Sequence, residues 1–376
     1  MQVGSSITQL MHAFGDIETN VAEGYPRFGF TAHQQEIVDR FPDFMAEANR
    51  VPYSILESRA QRALLDAVGQ RSAPVGTGRI LSYYAAGVAI DIVGRCLAQR
   101  TDRVAVIHPT LDCLPALIRS RGVQVVPFNE SRFDRRDPLD GLDGIGGLYI
   151  ANPNNPTGTV LHATRLRRLA ESCARREVAL AIDACFRVFD KRAQYDHYAI
   201  LDETGVDYVV VEDTGKLWPL GGVRLSFLAF AEHSQLGVPE ASSDLLMMAP
   251  PFSTLVVEAF AHDLAAGGMD VIHDRLTRNR DILAAAIEDC PLATLDSRES
   301  KVSMALVKLA PGISSTRLWG HLLRRGVSSV PGRPMWWARP GQGERYLRVA
   351  LAREPDVVER AGREIRAELE SVGLTT

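Results

Sequence analysis

Three short strings in this 376-residue chain combine chemically capable side chains with spacing that would bring them together. The first, NPNNPTG at 152–158, has prolines and a glycine that stiffen a turn presenting amide side chains. The same composition suits an ordinary turn. The second places Asp183 at the end of an apolar run, with Cys185 two positions on. A carboxylate there is desolvated and needs a partner to stay charged. It serves either as an N-cap for the next segment or as the anion opposite a protonated ring nitrogen. The third is Asp213-Thr214-Gly215-Lys216. A lysine at a strand end beside a sheet is partly desolvated, which lowers its pKa and makes its amine competent for Schiff-base chemistry. Taken alone, such a lysine is more often a solvated surface charge.

The elements that would position these residues can be read from the hydrophobic pattern. Residues 34–70 read as helical, interrupted at Pro42 and Pro52 and stopped near Gly69. Short aliphatic runs at 79–82, 104–107, 123–127, 147–151, 178–183 and 208–212 then alternate with helical stretches at 86–100, 111–121 and 163–176. Such a pattern predicts an α/β large domain with a mainly parallel, doubly wound sheet covered on both faces. In open sheets of this kind, sites lie beyond the carboxyl ends of the strands, where the three strings fall. From about 252 a long helical region is followed by strands at 302–309 and 346–352 and a helix at 315–325, which predicts a smaller α+β domain. The expected division is an N-terminal segment at 1–44, acting as lid and part of the small domain, a large domain at 45–270, and a small domain at 271–376. Trp336 and Trp337, in the Pro/Gly-rich stretch 331–344, are expected to pack rather than to line a pocket.

Composition removes several classes of function. With 42 basic and 46 acidic residues, the net charge of −4 lacks the basic footprint that nucleic acid demands. Five widely spaced cysteines contain no C-x-x-C pair, so neither a disulfide framework nor a metal site is expected, and the cytosol fits best. The first residues lack a basic region followed by an apolar core, and no apolar run is long enough to span a membrane.

The order of these features carries more than any one of them. NPNNPTG, then Asp183, then Lys216, then Arg224 eight residues later, then Arg348 in the late string RYLRVAL, resembles the fold type I pyridoxal 5'-phosphate (PLP) enzymes of the aminotransferase superfamily over about residues 80–350. That resemblance implies that Lys216 forms the internal aldimine and shuttles protons at the substrate carbon. It implies that Asp183 pairs with the pyridinium nitrogen and that Asn155 bonds the ring's phenolic oxygen. Arg224 would hold the phosphate together with the start of the 86–100 helix at Ala85, Ala86 and Gly87, and Arg348 would grip the substrate α-carboxylate. Cys185 and Asp213 would adjoin the cofactor. Phe186 stands where such aminotransferases commonly place a tyrosine on the phenolic oxygen, and Leu111 where an aromatic ring normally stacks on the cofactor. A homodimer is also implied, with Tyr83, Tyr84 or residues 244–254 as candidates to reach the partner.

A closer resemblance is to the PLP-dependent L-arginine oxidases and hydroxylases of enduracididine biosynthesis. It rests on Thr8-Gln9, the N-x-A-[DE]-G string at 20–24, PNNPTG at 153–158, FRVFD at 186–190, YDHYA at 195–199 and EDTGKLWP at 212–219. This implies oxidative deamination or hydroxylation of arginine or a related basic amino acid through a quinonoid and dioxygen, in specialised metabolism, under an N-terminal lid carrying Thr8. Glu23 and Asp213 are candidates for contacting a cationic side chain, beside plainer roles as a solvated lid carboxylate and a partner on the phosphate side. Two lid positions depart from the family: Met11 replaces an acidic residue and Tyr25 replaces a histidine. An ordinary aminotransferase, and a cyclase or lyase of the capreomycidine-synthase type, are the alternative readings.

Overall fold

The computed structural model describes residues 6–243, 245–296 and 299–373. At its centre lies a sheet of seven strands: β1 (Ile80–Tyr83), β2 (Arg103–His108), β3 (Gln124–Asn129), β4 (Gly147–Ala151), β5 (Ala179–Asp183), β6 (Tyr208–Asp213) and β7 (Ser226–Phe230). Their spatial order is β1-β7-β6-β5-β4-β2-β3. Strands β2 to β6 pair in parallel, while β7 lies antiparallel between β6 and β1. Every residue of β4, β5 and β6 is buried, as expected where crossover helices cover both faces of a parallel sheet. The α/β class and the mainly parallel sheet therefore follow the sequence, and the predicted helix over 86–100 is Ala86–Arg100. Strand β7 lies outside the predicted runs because it follows a loop rather than a helix, so the alternation of strand and helix does not mark it.

The helical region before the sheet is three helices, Ala32–Asp39, Phe41–Ala48 and Tyr53–Ala67, with breaks where Pro42 and Pro52 stand. Gly69 then takes φ 73°, and a Cβ there would lie 2.5 Å from the Gln194 carbonyl oxygen. Only glycine fits that stop.

A second sheet is antiparallel, with β8 (Ala293–Asp296), β9 (Met304–Leu309), β10 (Val330–Pro331) and β11 (Tyr346–Ala350) in the order β10-β11-β9-β8. The chain enters it through a continuous helical stretch, Pro251–Asp263 and Met269–Ala286 joined by a π turn. The N-terminal segment joins this half of the molecule, Thr19–Asn20 pairing in parallel with Val327–Ser328. Trp336 stacks on Tyr346 at 4.3 Å, and Trp337 donates from Nε1 to the Ile107 carbonyl at 3.1 Å, so both tryptophans pack, as expected. Tyr83 turns inward, its hydroxyl 2.8 Å from Ser242 Oγ, which removes it as a residue reaching outward; Tyr84 is half exposed. Asp244, within the candidate stretch 244–254, lies outside the described residues. Among the described residues no helix is long and apolar enough to cross a membrane, and no cluster suited to a metal ion occurs.

Candidate active site

A cavity of about 970 Å³, counted to its open mouth, lies at the carboxyl ends of β4, β5 and β6. Each of those strands delivers one element of it, because parallel strands end on the same edge. From β4 comes the turn carrying Asn155, from β5 Asp183 and Cys185, and from β6 Asp213 and Lys216. Sequence alone brought these residues to one edge, and the structure brings them to one cavity.

Lys216 Nζ donates to Asp213 Oδ2 at 2.9 Å. The sequence-based expectation of a lowered lysine pKa is corrected here. Burial does oppose the ammonium, but the adjacent Asp213 carboxylate, helped by Cys185 and Asp183, more than offsets it and holds the pKa above its ordinary value. Asp183 is 7% exposed and accepts the Cys185 backbone N–H at 3.0 Å, with the Cys185 thiol beside it. Its burial pushes the carboxyl pKa up, against the pull of Lys216. A buried carboxylate with so few donors suits a cationic ring nitrogen. Asn155 is also buried, and its Oδ1 meets no partner among the described residues. Phe186 places its ring 5.2 Å from Lys216 Nζ, so the position offers a π face and no hydroxyl.

The turn bearing Asn155 is tied to the neighbouring strand end. Asn154 and Thr157 both donate to Glu130 Oε1 at 2.6 Å, and Thr110 donates to Asn154 Oδ1 at 3.1 Å. Burial raises the Glu130 carboxyl pKa. These bonds fix Leu111, on the cavity wall, relative to Asn155.

On the opposite wall Arg348 comes from β11 and is 2% exposed. Its Nη2 donates to the Ala22 carbonyl at 2.7 Å, while its Nε has no acceptor among the described residues. Burial pushes its pKa down to about 10. An arginine with an unused donor facing a cavity fits a carboxylate ligand. Ile7, Thr8 and Met11, from the short helix Ile7–Ala13, close the same space. That helix is fastened by its Ile7 N–H, which donates to Asp112 Oδ2 at 2.9 Å.

The phosphate side also matches the expected cofactor. Ala85, Ala86 and Gly87 line the cavity, and Ala85 offers no side-chain cap to the helix Ala86–Arg100. The first N–H groups of that helix are therefore available to an anion. Arg224 reaches the same cavity, made possible by Gly215, where a Cβ would sit 2.8 Å from Arg224 Cδ. The donors, the buried carboxylate and the lysine together fit PLP.

Glu23 does not join this set. Its carboxylate pairs with Arg27 at 2.6 Å and lines an adjoining cleft with Tyr25, Trp218 and Arg224. Sequence reasoning missed Asp112, Met304 and Arg353. The signal available for Arg353 was a cation placed just after an apolar strand, in the string RVALAR.

Residues 30–365 match the family described as aminotransferase class I and II. The structure of MppP soaked with the product 2-ketoarginine superposes with a TM-score of 0.90 at 37% identity, covering 93% of this chain and 99% of that one. A histidinol-phosphate aminotransferase of Serratia proteamaculans is 27% identical over 338 residues, 85% of this chain and 83% of its own. Two further histidinol-phosphate aminotransferases, from Paramagnetospirillum magneticum and Nitrosococcus oceani, align over 24% and 52% of their lengths. A PLP-bound aminotransferase-like structure from Clostridium difficile 630 shares the fold, with a TM-score of 0.79 at 15% identity over 98% of this chain and 96% of that one.

Proposed function

The chain belongs to the aminotransferase class I and II family and uses pyridoxal 5'-phosphate, and from that premise we propose that it oxidises the α-carbon–nitrogen bond of a free basic amino acid, L-arginine or a close relative. The observation that carries this reading is the likeness, at 37% identity over nearly the whole of both chains, to a protein whose product is 2-ketoarginine.

PLP supplies an electrophilic aldehyde and a ring that accepts electron density from the substrate α-carbon. The chain supplies the rest. Lys216 Nζ would hold the cofactor and carry the proton at the substrate α-carbon. Asp183 would keep the ring nitrogen protonated, Asn155 would hold the ring oxygen, and Arg224 with the Ala86–Arg100 helix start would hold the phosphate. Arg348 fixes the substrate carboxylate, and Ile7 and Met11 exclude water from above. Overall, amino acid, dioxygen and water would give the 2-oxo acid, ammonium and hydrogen peroxide: the α-carbon–hydrogen bond breaks, two electrons and two protons pass to oxygen, and water hydrolyses the imine that remains. The same reading includes a homodimer with an isologous interface.

Transamination is the second reading. The names of the curated relatives favour it, as do Met11 and Tyr25 in the lid. The test is to mix PLP-loaded protein with amino acids led by L-arginine, in air, and to follow oxygen, ammonium and product mass together. Oxygen uptake with stoichiometric ammonium and a 2-oxo acid supports the oxidase, and one added oxygen atom in the product reveals hydroxylation. No oxygen uptake, with a new amino acid formed only when a 2-oxo acid is added, overturns it in favour of an aminotransferase.

A further inference from the structure

The N-terminal segment does more than cover the cavity: two buried arginines clamp its backbone. Arg353, 1% exposed, donates to the carbonyls of Asn20 at 2.5 Å, Glu23 at 2.8 Å and Tyr25 at 2.6 Å. Arg348 donates to the carbonyl between them, Ala22, at 2.7 Å. Asn20 Oδ1 accepts the Ala22 N–H at 3.1 Å, which closes the loop from within. The backbone of residues 20–25 is therefore fixed even where its side chains meet solvent.

That fixed backbone presents the Tyr25 ring. The ring is 42% exposed, yet it lies against Arg224, whose guanidinium carbon stands 4.7 Å from the ring centroid. Arg224 has no hydrogen-bonded or ion-paired acceptor among the described residues, so the ring is the contact that orients its guanidinium. Stacking on a π face leaves the N–H donors of a planar guanidinium free in their own plane for phosphate oxygens.

We propose that Tyr25 is a positioning residue for the cofactor phosphate, acting through Arg224 and itself held by Arg353. The inference rests on the placement of the phosphate at Arg224 and is independent of the subsequent reaction. The segment then links the two anion sites, because Arg348 and Arg224 are bridged by residues 22–25.

The experiment compares apoprotein affinity for pyridoxal 5'-phosphate and for pyridoxal, which lacks the phosphate, read by tryptophan fluorescence. Tyr25→Leu should weaken PLP binding roughly threefold to tenfold, leave pyridoxal binding unchanged, and be rescued by Tyr25→Phe, which keeps the ring. Arg224→Met, measured alongside, should lose most of the preference for the phosphorylated form. If Arg224→Met loses that preference while Tyr25→Leu keeps it, or if Tyr25→Leu weakens both ligands equally, the positioning role is overturned. If Arg224→Met itself keeps the preference, the phosphate lies elsewhere and the inference falls with its premise.

Discussion

Asp213 closes β6, and Lys216, three residues on, brings its Nζ to 2.9 Å from the Asp213 Oδ2. The pair stores the lysine as an ammonium, since the carboxylate favours the charged form against the cost of burial. Asp213→Asn removes the largest part of that support and leaves the weaker pull of Asp183 against desolvation, so the pH at which Lys216 gives up its proton should fall. The pH dependence of the rate at which the apoprotein variant captures pyridoxal, a step that needs the free amine of Lys216, measures the shift, and an unchanged midpoint would remove Asp213 from control of the lysine. Lys216→Ala should lower turnover at least about a hundredfold.

Asp183 gives a prediction about stability. Its carboxyl pKa is raised by burial from an ordinary 3.8, so the folded apoprotein keeps this proton at pH values where the unfolded chain has lost it. The unfolded state then binds fewer protons, and this group's contribution to stability falls as pH rises past 3.8. Apoprotein melting temperatures measured against pH should therefore decline for the wild type relative to Asp183→Asn. Adding PLP should reverse that decline in the wild type alone, because it supplies the cation the carboxylate lacks.

Arg348→Gln tests the carboxylate site. Loss of a charge-assisted pair costs about 1.5–3 kcal/mol, so KM for the amino acid should rise roughly tenfold to a hundredfold, well beyond any change in PLP affinity that follows from loosening Ala22. An unchanged KM would show that the carboxylate is held elsewhere.

Behind the site, Arg187 and Glu212 form a buried pair at 2.8 Å, with side chains 1% and 5% exposed. Arg187 also meets His197 Nδ1, and His197 Nε2 lies 2.9 Å from Asn152 Nδ2 at the start of the turn that carries Asn155. Arg187→Met leaves the Glu212 charge uncompensated and should cost about 3–5 kcal/mol in chemical denaturation. The double variant Arg187→Met/Glu212→Leu, which buries no charge, should recover much of that loss.

The contrast between these two sets of residues marks how far the sequence reaches. Lys216, Asp183 and Asn155 were legible because strand periodicity places each at a carboxyl end, and a parallel sheet gathers such ends on one edge. Arg353 and Asp112 were not, because their partners lie 333 and 105 residues away, at Asn20 and Ile7, and no local period encodes such contacts. For Glu23 the sequence left two roles open, and the structure favours the plainer one for a local reason: Arg27, four residues on, takes its carboxylate. The pKa of Lys216 was misjudged because burial was weighed without Asp213, which was visible three residues away but whose orientation was not.

Met11 stands on the cavity wall where the arginine-acting family has an acid, and this bears directly on substrate choice. Among the described residues the acids lining the cavity are Asp183 and Asp213, the first facing the ring nitrogen in the proposed arrangement and the second paired with Lys216. A guanidinium therefore competes with Lys216 for Asp213, which predicts weak arginine binding for a site otherwise walled by Ile7, Leu111 and Met304. Met11→Glu should lower KM for L-arginine roughly threefold to tenfold, with the gain shrinking in high salt as befits a partly exposed ion pair. It should raise KM for apolar amino acids of similar length. Steady-state kinetics on both substrates decides the matter: equal effects on arginine and leucine would mean that the substrate side chain never approaches the Ile7–Ala13 helix, and that the lid acts only by excluding water.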